Sequence, residues 1–370
     1  MTIEQQTLER QVLAWFNHFH THPEISWEEV ETTNTLATIL EELHIPYRRF
    51  DDVTGIHAEI GEGEEVIAVR ADIDALWQEV NGTWQANHSC GHDANMAMVL
   101  GALVLLKDRK LSKRIRFIFQ PAEEKGNGAI SMIERGALDD VTHLFGVHLR
   151  PQEELPLGKV APAIHHGAAY FLQGKIFGVD AHGARPHQGQ SAIDVLVSMH
   201  QQLSMMHIDP FEVCSAKITK MVADGGSVNI IAGTAEFSMD VRAQKNEVLQ
   251  QMKERIERIF SQLQQQFDVR LEWQWEDFTP GAEVSQEAAM IAEQAIIEEL
   301  GLEALAPHVH TPGSDDFHCY TIAKPELKAA MIGVGANLAP GLHHPNMTFD
   351  QEALMTGARA VAATLYNIAK

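Results

Sequence analysis

Two hydrophobic periods alternate along roughly the first 150 residues, and that alternation constrains the fold more than any other feature of this chain. Leu13, Phe16 and Phe19, then Leu36, Ile39, Leu40 and Leu43, recur at spacings of three and four, which predicts helices. Apolar runs at 55–60, 66–70 and 142–149 read as strands, as does 114–120, where RIRFIFQ alternates and stops at Pro121. Between them, 96–107 and 128–135 read as helices. Strands separated by helices predict an α/β layer on a mostly parallel sheet. In such sheets reactive groups collect beyond the carboxyl ends of the strands.

The pattern changes after about residue 150, where PQEELPLG is a turn-rich connection. Four alternating segments, 169–179, 214–222, 234–242 and 269–275, enclose helical stretches at 191–207 and 245–266. They predict a smaller α+β domain, two helices on a four-strand antiparallel sheet. After Pro280-Gly281 the first pattern returns, with a helix at 285–300, a strand at 328–334 and a closing helix at 351–368. The predicted organisation is a catalytic domain, 1–168 and 283–370, interrupted by an inserted domain at 169–282.

Four clusters carry chemistry. His88-Ser-Cys90-Gly-His92-Asp93 sets a thiol and an imidazole two residues apart, so in an extended loop they share one face. Gln120-Pro-Ala-Glu123-Glu124 follows the RIRFIF strand: one carboxylate can hold a cation while its neighbour stays free to move a proton. His148 closes a short apolar strand, and Gly341-Leu-His343-His344-Pro345 precedes the last helix. Each alone has an ordinary reading, as a buried Cys, a solvated Glu pair, a core His or a surface loop. Together they place Cys, His and Glu where an α/β sheet presents its strand ends. Asp72 and Asp74 read equally as solvated loop carboxylates or as groups orienting ligands, the His165-His166 pair reads as loop, Cys214 and Cys319 as buried apolar residues, and the methionines at 199–206 as helix core.

These clusters belong to a longer series. His20-Thr-His-Pro23-Glu24 with Glu29, Arg70-Ala-Asp72-Ile-Asp74-Ala-Leu76, Cys90-Gly-His92-Asp93, Gln120-Pro-Ala-Glu123-Glu124, Gly146-Val-His148, Ala181-His182-Gly-Ala-Arg-Pro186-His187-Gln-Gly189 and Asp224-Gly-Gly-Ser-Val-Asn229-Ile-Ile follow one another in order. With them the chain resembles the aminoacylase and carboxypeptidase-like di-metal amidohydrolases, in the branch of hippurate hydrolases and auxin-conjugate hydrolases. The resemblance implies a di-metal exopeptidase-like catalytic domain. It implies two divalent ions (manganese, zinc, cobalt or nickel) held by Cys90, His92, Glu124, His148 and His343, with Cys90 bridging or ligating both. Glu123 would be general base and then acid. His182, from the inserted lid domain, would polarise the scissile carbonyl or hold the tetrahedral oxyanion, and Asn229 and Arg242 would help bind the substrate, Arg242 as partner of the substrate's carboxylate. The H-x-Pro spacing selects His343 over His344. Trp77, Asn95 and Ala232 stand where the family usually has Pro, His and Pro.

The implied reaction is metal-dependent hydrolysis of the amide of an N-acyl amino acid. A metallo-dipeptidase or carboxypeptidase would use the same groups, and a non-catalytic small-molecule binder is the alternative from another class. The resemblance also implies that two subunits can pair through the lid as a homodimer. With 51 acidic against 28 basic residues and a net charge of −23, nucleic acid and anionic membrane surfaces are not expected partners. Three cysteines, an N-terminus without the basic start and apolar core of a signal peptide, and the lack of a long apolar run predict a cytoplasmic protein.

Overall fold

Seven strands build the sheet that carries the clusters in the structure, a computed structural model that describes residues 3–370. In spatial order they are Tyr47–Arg49, Ile56–Ile60, Arg114–Gln120, Val66–Asp72, Val141–Pro151, Lys328–Leu338 and Val160–Ala161. The four central strands are parallel, and the flanking pairs are antiparallel. The expectation of a mostly parallel sheet is met by the four central strands, to which the edge strands add antiparallel pairs. A parallel neighbour needs a long crossover, which the helices His92–Leu106 and Gly128–Glu134 supply. Only residues 50–55 separate the first two strands, so they close as a hairpin.

Burial follows from the crossovers. Val66–Asp72 is buried at every position, as a strand covered on both faces must be. The His92–Leu106 helix is apolar almost all round and packs against that strand, Ala353–Ala369 and Ile3–Thr21. Close packing fixes Gly101: a Cβ there would lie 2.9 Å from both Ala358 Cβ and Val12 Cγ2. No helix among the described residues is long and apolar enough to cross a membrane.

The chain divides into two units. The first holds the residues up to His165, Glu283–His310 and Asp315–Lys370, and the second holds His166–Ala282 and Thr311–Ser314. The segment 311–314 belongs to the second because Gly167 N–H donates to Gly313 O, 2.9 Å, and Arg242 Nη1 reaches Pro312 O, 3.4 Å. Within the second unit the antiparallel order is Cys214–Ala223, Thr234–Ala243, Ala168–Phe177 and Arg270–Thr279. The helix Asn246–Phe267 buries Leu249, Met252, Ile256, Phe260 and Leu263, spaced by three and four, and Ala192–Ser204 buries Val195, Leu196 and Met199.

Smaller departures have local causes. Leu76–Val80 and Thr83–Asn87 form a hairpin absent from the sequence reading, although Asn81-Gly82, both at positive φ, is a strong hairpin signal. Ile164–His166 is a strand, so the histidine pair is not loop. The Ala192–Ser204 helix ends early and leaves Met205 exposed, and Cys214, at a strand end, is half-buried rather than buried.

His57 gives the first unit an acid sensitivity. Burial, then the neighbouring Arg116, pushes its imidazole down from 6.5 to about 4. The folded chain thus binds fewer protons there than the unfolded chain, and stability falls as pH drops from about 6.5 through 4. His57→Leu is expected to flatten that limb by up to ~3 kcal/mol, read from denaturant unfolding at pH 7 and 4.5. An unchanged difference between the two pH values contradicts this assignment.

Candidate metal centre

The ligand candidates sit where the parallel strands end. Gly91, at φ +86°, turns the chain from Cys90 into the His92–Leu106 helix, so His92 opens that helix and Cys90 lies just before it. Glu123 and Glu124 follow the Arg114–Gln120 strand across Ala122, which is also left-handed, φ +52°. His148 lies within Val141–Pro151, and His343 is in the loop after Lys328–Leu338.

The five side chains converge in two groups that share one sulfur. Cys90, His92 and His148 each place a ligand atom within 4.8 Å of the others, and so do Cys90, Glu124 and His343. Cys90 Sγ is 3.2 Å from His343 Nε2 and 3.8 Å from His148 Nε2. Glu124 Oε1 is 3.4 Å from His343 Nε2 and 3.9 Å from His92 Nε2. Glu123 Oε2 is 3.8 Å from His92 Nε2. His344 belongs to neither group.

Surrounding contacts aim these atoms inwards. His92 Nδ1 donates to Asp74 O, 2.8 Å, and His148 Nδ1 to Leu149 O, 2.7 Å, which leaves Nε2 of each ring turned towards Cys90 and the carboxylates. The Asp74 carboxylate accepts from Glu123 N, 3.2 Å, Glu124 N, 3.0 Å, and Ser26 Oγ, 2.6 Å. Glu29 holds the same turn from the other side, accepting from Ala122 N at 2.9 Å and Thr54 Oγ1 at 2.6 Å. Asp74 is fully buried, which removes the solvated-loop reading, and Asp72 is buried between Arg70 and Asn95 Nδ2.

The electrostatics favour a cation. Burial would raise the Cys90 thiol, but His92, His148 and His343 outweigh it and hold Cys90 well below its ordinary value. Burial works against a charged His92, yet Asp72 and Cys90 push it well above the ordinary histidine range. Cys90 and Glu124 push His343 up to about 10. Burial, with Cys90, raises Glu124 to about 7, and burial, Asp315 and Glu124 raise Glu123 further above the carboxylate range. Nε2 of His92 and Oε1 of Glu124 are buried without a hydrogen-bond partner. Sulfur, nitrogen and oxygen donors around orphaned buried atoms fit divalent transition ions.

Beneath the centre, Arg70 is fully buried and pairs with Asp72 and Asp316 at 2.6 Å each and Asp315 at 3.4 Å. Gln120 Nε2 also donates to Asp316, at 2.9 Å. The sequence reading missed Asp315 and Asp316; a Ser-Asp-Asp-Phe run carries no spacing signal for a partner 246 residues away.

The remaining candidates lie in the second unit. His182 pairs with Ile230 across a two-strand bridge, and Gly183 N donates to Asn229 O at 2.7 Å, so His182 and Asn229 are neighbours. His182 is exposed, and its Nδ1 accepts from Ala184 N at 3.1 Å. Arg242 is tied to Asp240, Nε to Oδ1 2.9 Å, and faces the Phe171 ring. It sits at the far end of the strand that begins at Thr234, roughly 27 Å along it, so this unit groups it with neither His182 nor Asn229.

Residues 68–367 match the family described as peptidase family M20/M25/M40. An N-acetyl-L-cysteine deacetylase of Bacillus subtilis is 32% identical over 372 residues, 95% of this chain and 87% of that protein. An N-acyl-L-amino acid amidohydrolase of Geobacillus stearothermophilus is 33% identical over 248 residues, 62% of this chain and 66% of that protein. The crystal structure of a dinuclear metal-binding peptidase of the M20 family from Bacillus subtilis superposes with a TM-score of 0.84 at 28% identity, covering 98% of this chain and 99% of that one.

Proposed function

This chain belongs to peptidase family M20/M25/M40, and on that premise we propose that it hydrolyses the amide bond of N-acyl amino acids, releasing a carboxylate and a free amino acid. The observation that carries the reading is the pair of ligand groups sharing Cys90, with the second carboxylate, Glu123, beside them. Cys90, His92 and His148 would hold one divalent ion, and Cys90, Glu124 and His343 the other. Bound there, the ions would acidify a water and draw electron density from the amide carbonyl.

The chain's own groups do the rest. Glu123, held raised by burial and by Asp315, is poised to take a proton from water and return it to the departing nitrogen. Asp74 positions this base relative to a ligand candidate, because its carboxylate accepts from the Glu123 amide at 3.2 Å and lies 3.3 Å from His92 Nδ1. His182 is assigned to polarise the carbonyl oxygen, with Asn229 and Arg242 binding the substrate; these three roles rest on the sequence motifs.

Zinc, manganese, cobalt and nickel all suit the donor set, and the thiolate disfavours magnesium and calcium. A reducing cytoplasm suits Cys90, which must stay a free thiolate, and all three cysteines are unpaired. The outer edge of the Cys214–Ala223 strand, which exposes Met221 and Val222, is the surface assigned to pairing two copies.

A panel of acetylated and benzoylated amino acids, assayed beside dipeptides, tests the substrate class. Turnover of the acylated compounds well above the dipeptides is expected, and the reverse order supports the dipeptidase reading. His343→Ala is expected to lose ~10-fold or more in affinity for one ion, whereas His344→Ala keeps both. Metal titration of the two variants checks this, and equal losses contradict the choice of His343.

A further inference from the structure

The hairpin that follows Asp74 has two unlike faces. Trp77 and Trp84 point to solvent, while Gln78 and Asn87 point back towards the loops that carry Cys90 and His343. Gln78 Nε2 donates to His343 O at 2.9 Å. Its Oε1 accepts from Ser89 Oγ at 2.8 Å and from Asn87 Nδ2 at 3.2 Å. Asn87 Nδ2 also donates to Pro345 O at 3.0 Å. The amide orientation is fixed by chemistry, since a backbone carbonyl can only accept.

His343 needs this support. Its φ of +64° is left-handed and its residue is not glycine, a conformation that costs ~1 kcal/mol or more and persists only where neighbours impose it. Both of its backbone polar groups are held: N–H donates to Ser89 O at 2.8 Å, and C=O accepts from Gln78. Ser89 directly precedes Cys90. One side chain thus joins the backbone of His343 to the residue beside Cys90, far apart in sequence.

We infer that Gln78 is a positioning residue: it sets the approach of His343 Nε2 to Cys90 Sγ and thereby tunes the ion held by Cys90, Glu124 and His343. The inference rests on the proposed metal-dependent function. Gln78 touches no ligand atom of that ion; it acts through the backbone of His343 and the hydroxyl of Ser89. Its effect is selective, because the ion of Cys90, His92 and His148 shares only the sulfur with the braced loop.

The test is cobalt(II) titration of the full-length, metal-stripped protein against a competing chelator, with the visible absorption spectrum recorded at each step. In Gln78→Leu, which keeps the bulk and removes the bonds, one ion is expected to bind ~10- to 100-fold more weakly with an altered spectrum. The other ion should bind as in wild type. Gln85→Leu, on the exposed cross-strand neighbour, should match wild type throughout. Should Gln78→Leu not fold, Ser89→Ala and Asn87→Ala each remove part of the brace and are expected to weaken the same ion by less. Two cobalt ions bound by these variants with wild-type affinity and spectrum overturn the brace alone, as does an equal loss in Gln85→Leu. Wild-type protein that takes up no cobalt overturns the metal reading itself.

Discussion

Glu123→Gln is expected to lower kcat by ~10²- to 10⁴-fold, the range for a positioned acid–base group, while the protein still binds two ions. Glutamine keeps the shape and the backbone bond to Asp74, so the fold and the ligand groups stay in place. It removes only the capacity to accept and return a proton. Glu124→Gln differs, because Glu124 is a ligand candidate with Oε1 3.4 Å from His343 Nε2; it is expected to lose metal and activity together. Steady-state kinetics with metal analysis on the same samples separates the two. Near-wild-type turnover of metal-loaded Glu123→Gln removes Glu123 from the mechanism.

Arg70→Met is expected to destabilise the fold by ~3–5 kcal/mol, the range for breaking a buried ion pair from one side. The guanidinium has 1% exposure and lies against Asp72, Asp315 and Asp316, all buried. Removing it leaves three carboxylates without their cation. Asp316 is already raised to about 7, by burial first, with Arg70 opposing that rise. The double variant Arg70→Met, Asp316→Asn should therefore recover part of the loss. Chemical denaturation of the three proteins checks the order of stability. If the double variant is no more stable than Arg70→Met, the cost does not come from the stranded carboxylate.

Much of this was legible in the sequence because the motifs report local geometry. Cys90-Gly-His92 reads as a ligand pair on one face of an extended loop; Gly91, at φ +86°, instead turns the chain into a helix there, and the two side chains still converge. Glu123 and Glu124 follow a strand whose alternation is unmistakable, RIRFIF. The Asn246–Phe267 helix follows from its spacing of three and four. What stayed hidden depends on distant partners. Asp315 and Asp316 acquire meaning only when Arg70 is folded against them. Asp74 looks like any loop carboxylate until four donors, from Ser26, His92, Glu123 and Glu124, surround it. Gln78 reads as one polar residue of an exposed hairpin, yet it reaches His343 O. Edge strands pairing antiparallel were hidden for a related reason: strand direction depends on connection length and sheet position, not on the residues within the strand.

Metal stoichiometry is the sharpest check on two ions sharing one thiolate. After reconstitution, wild-type protein should carry two divalent ions per chain, as the two ligand groups that share Cys90 require. His148→Ala and His343→Ala should each lose one, and Cys90→Ala should weaken both. Full turnover by wild-type protein shown to be free of metal, or an ion held by Cys90→Ala with undiminished affinity, contradicts the paired-ion reading.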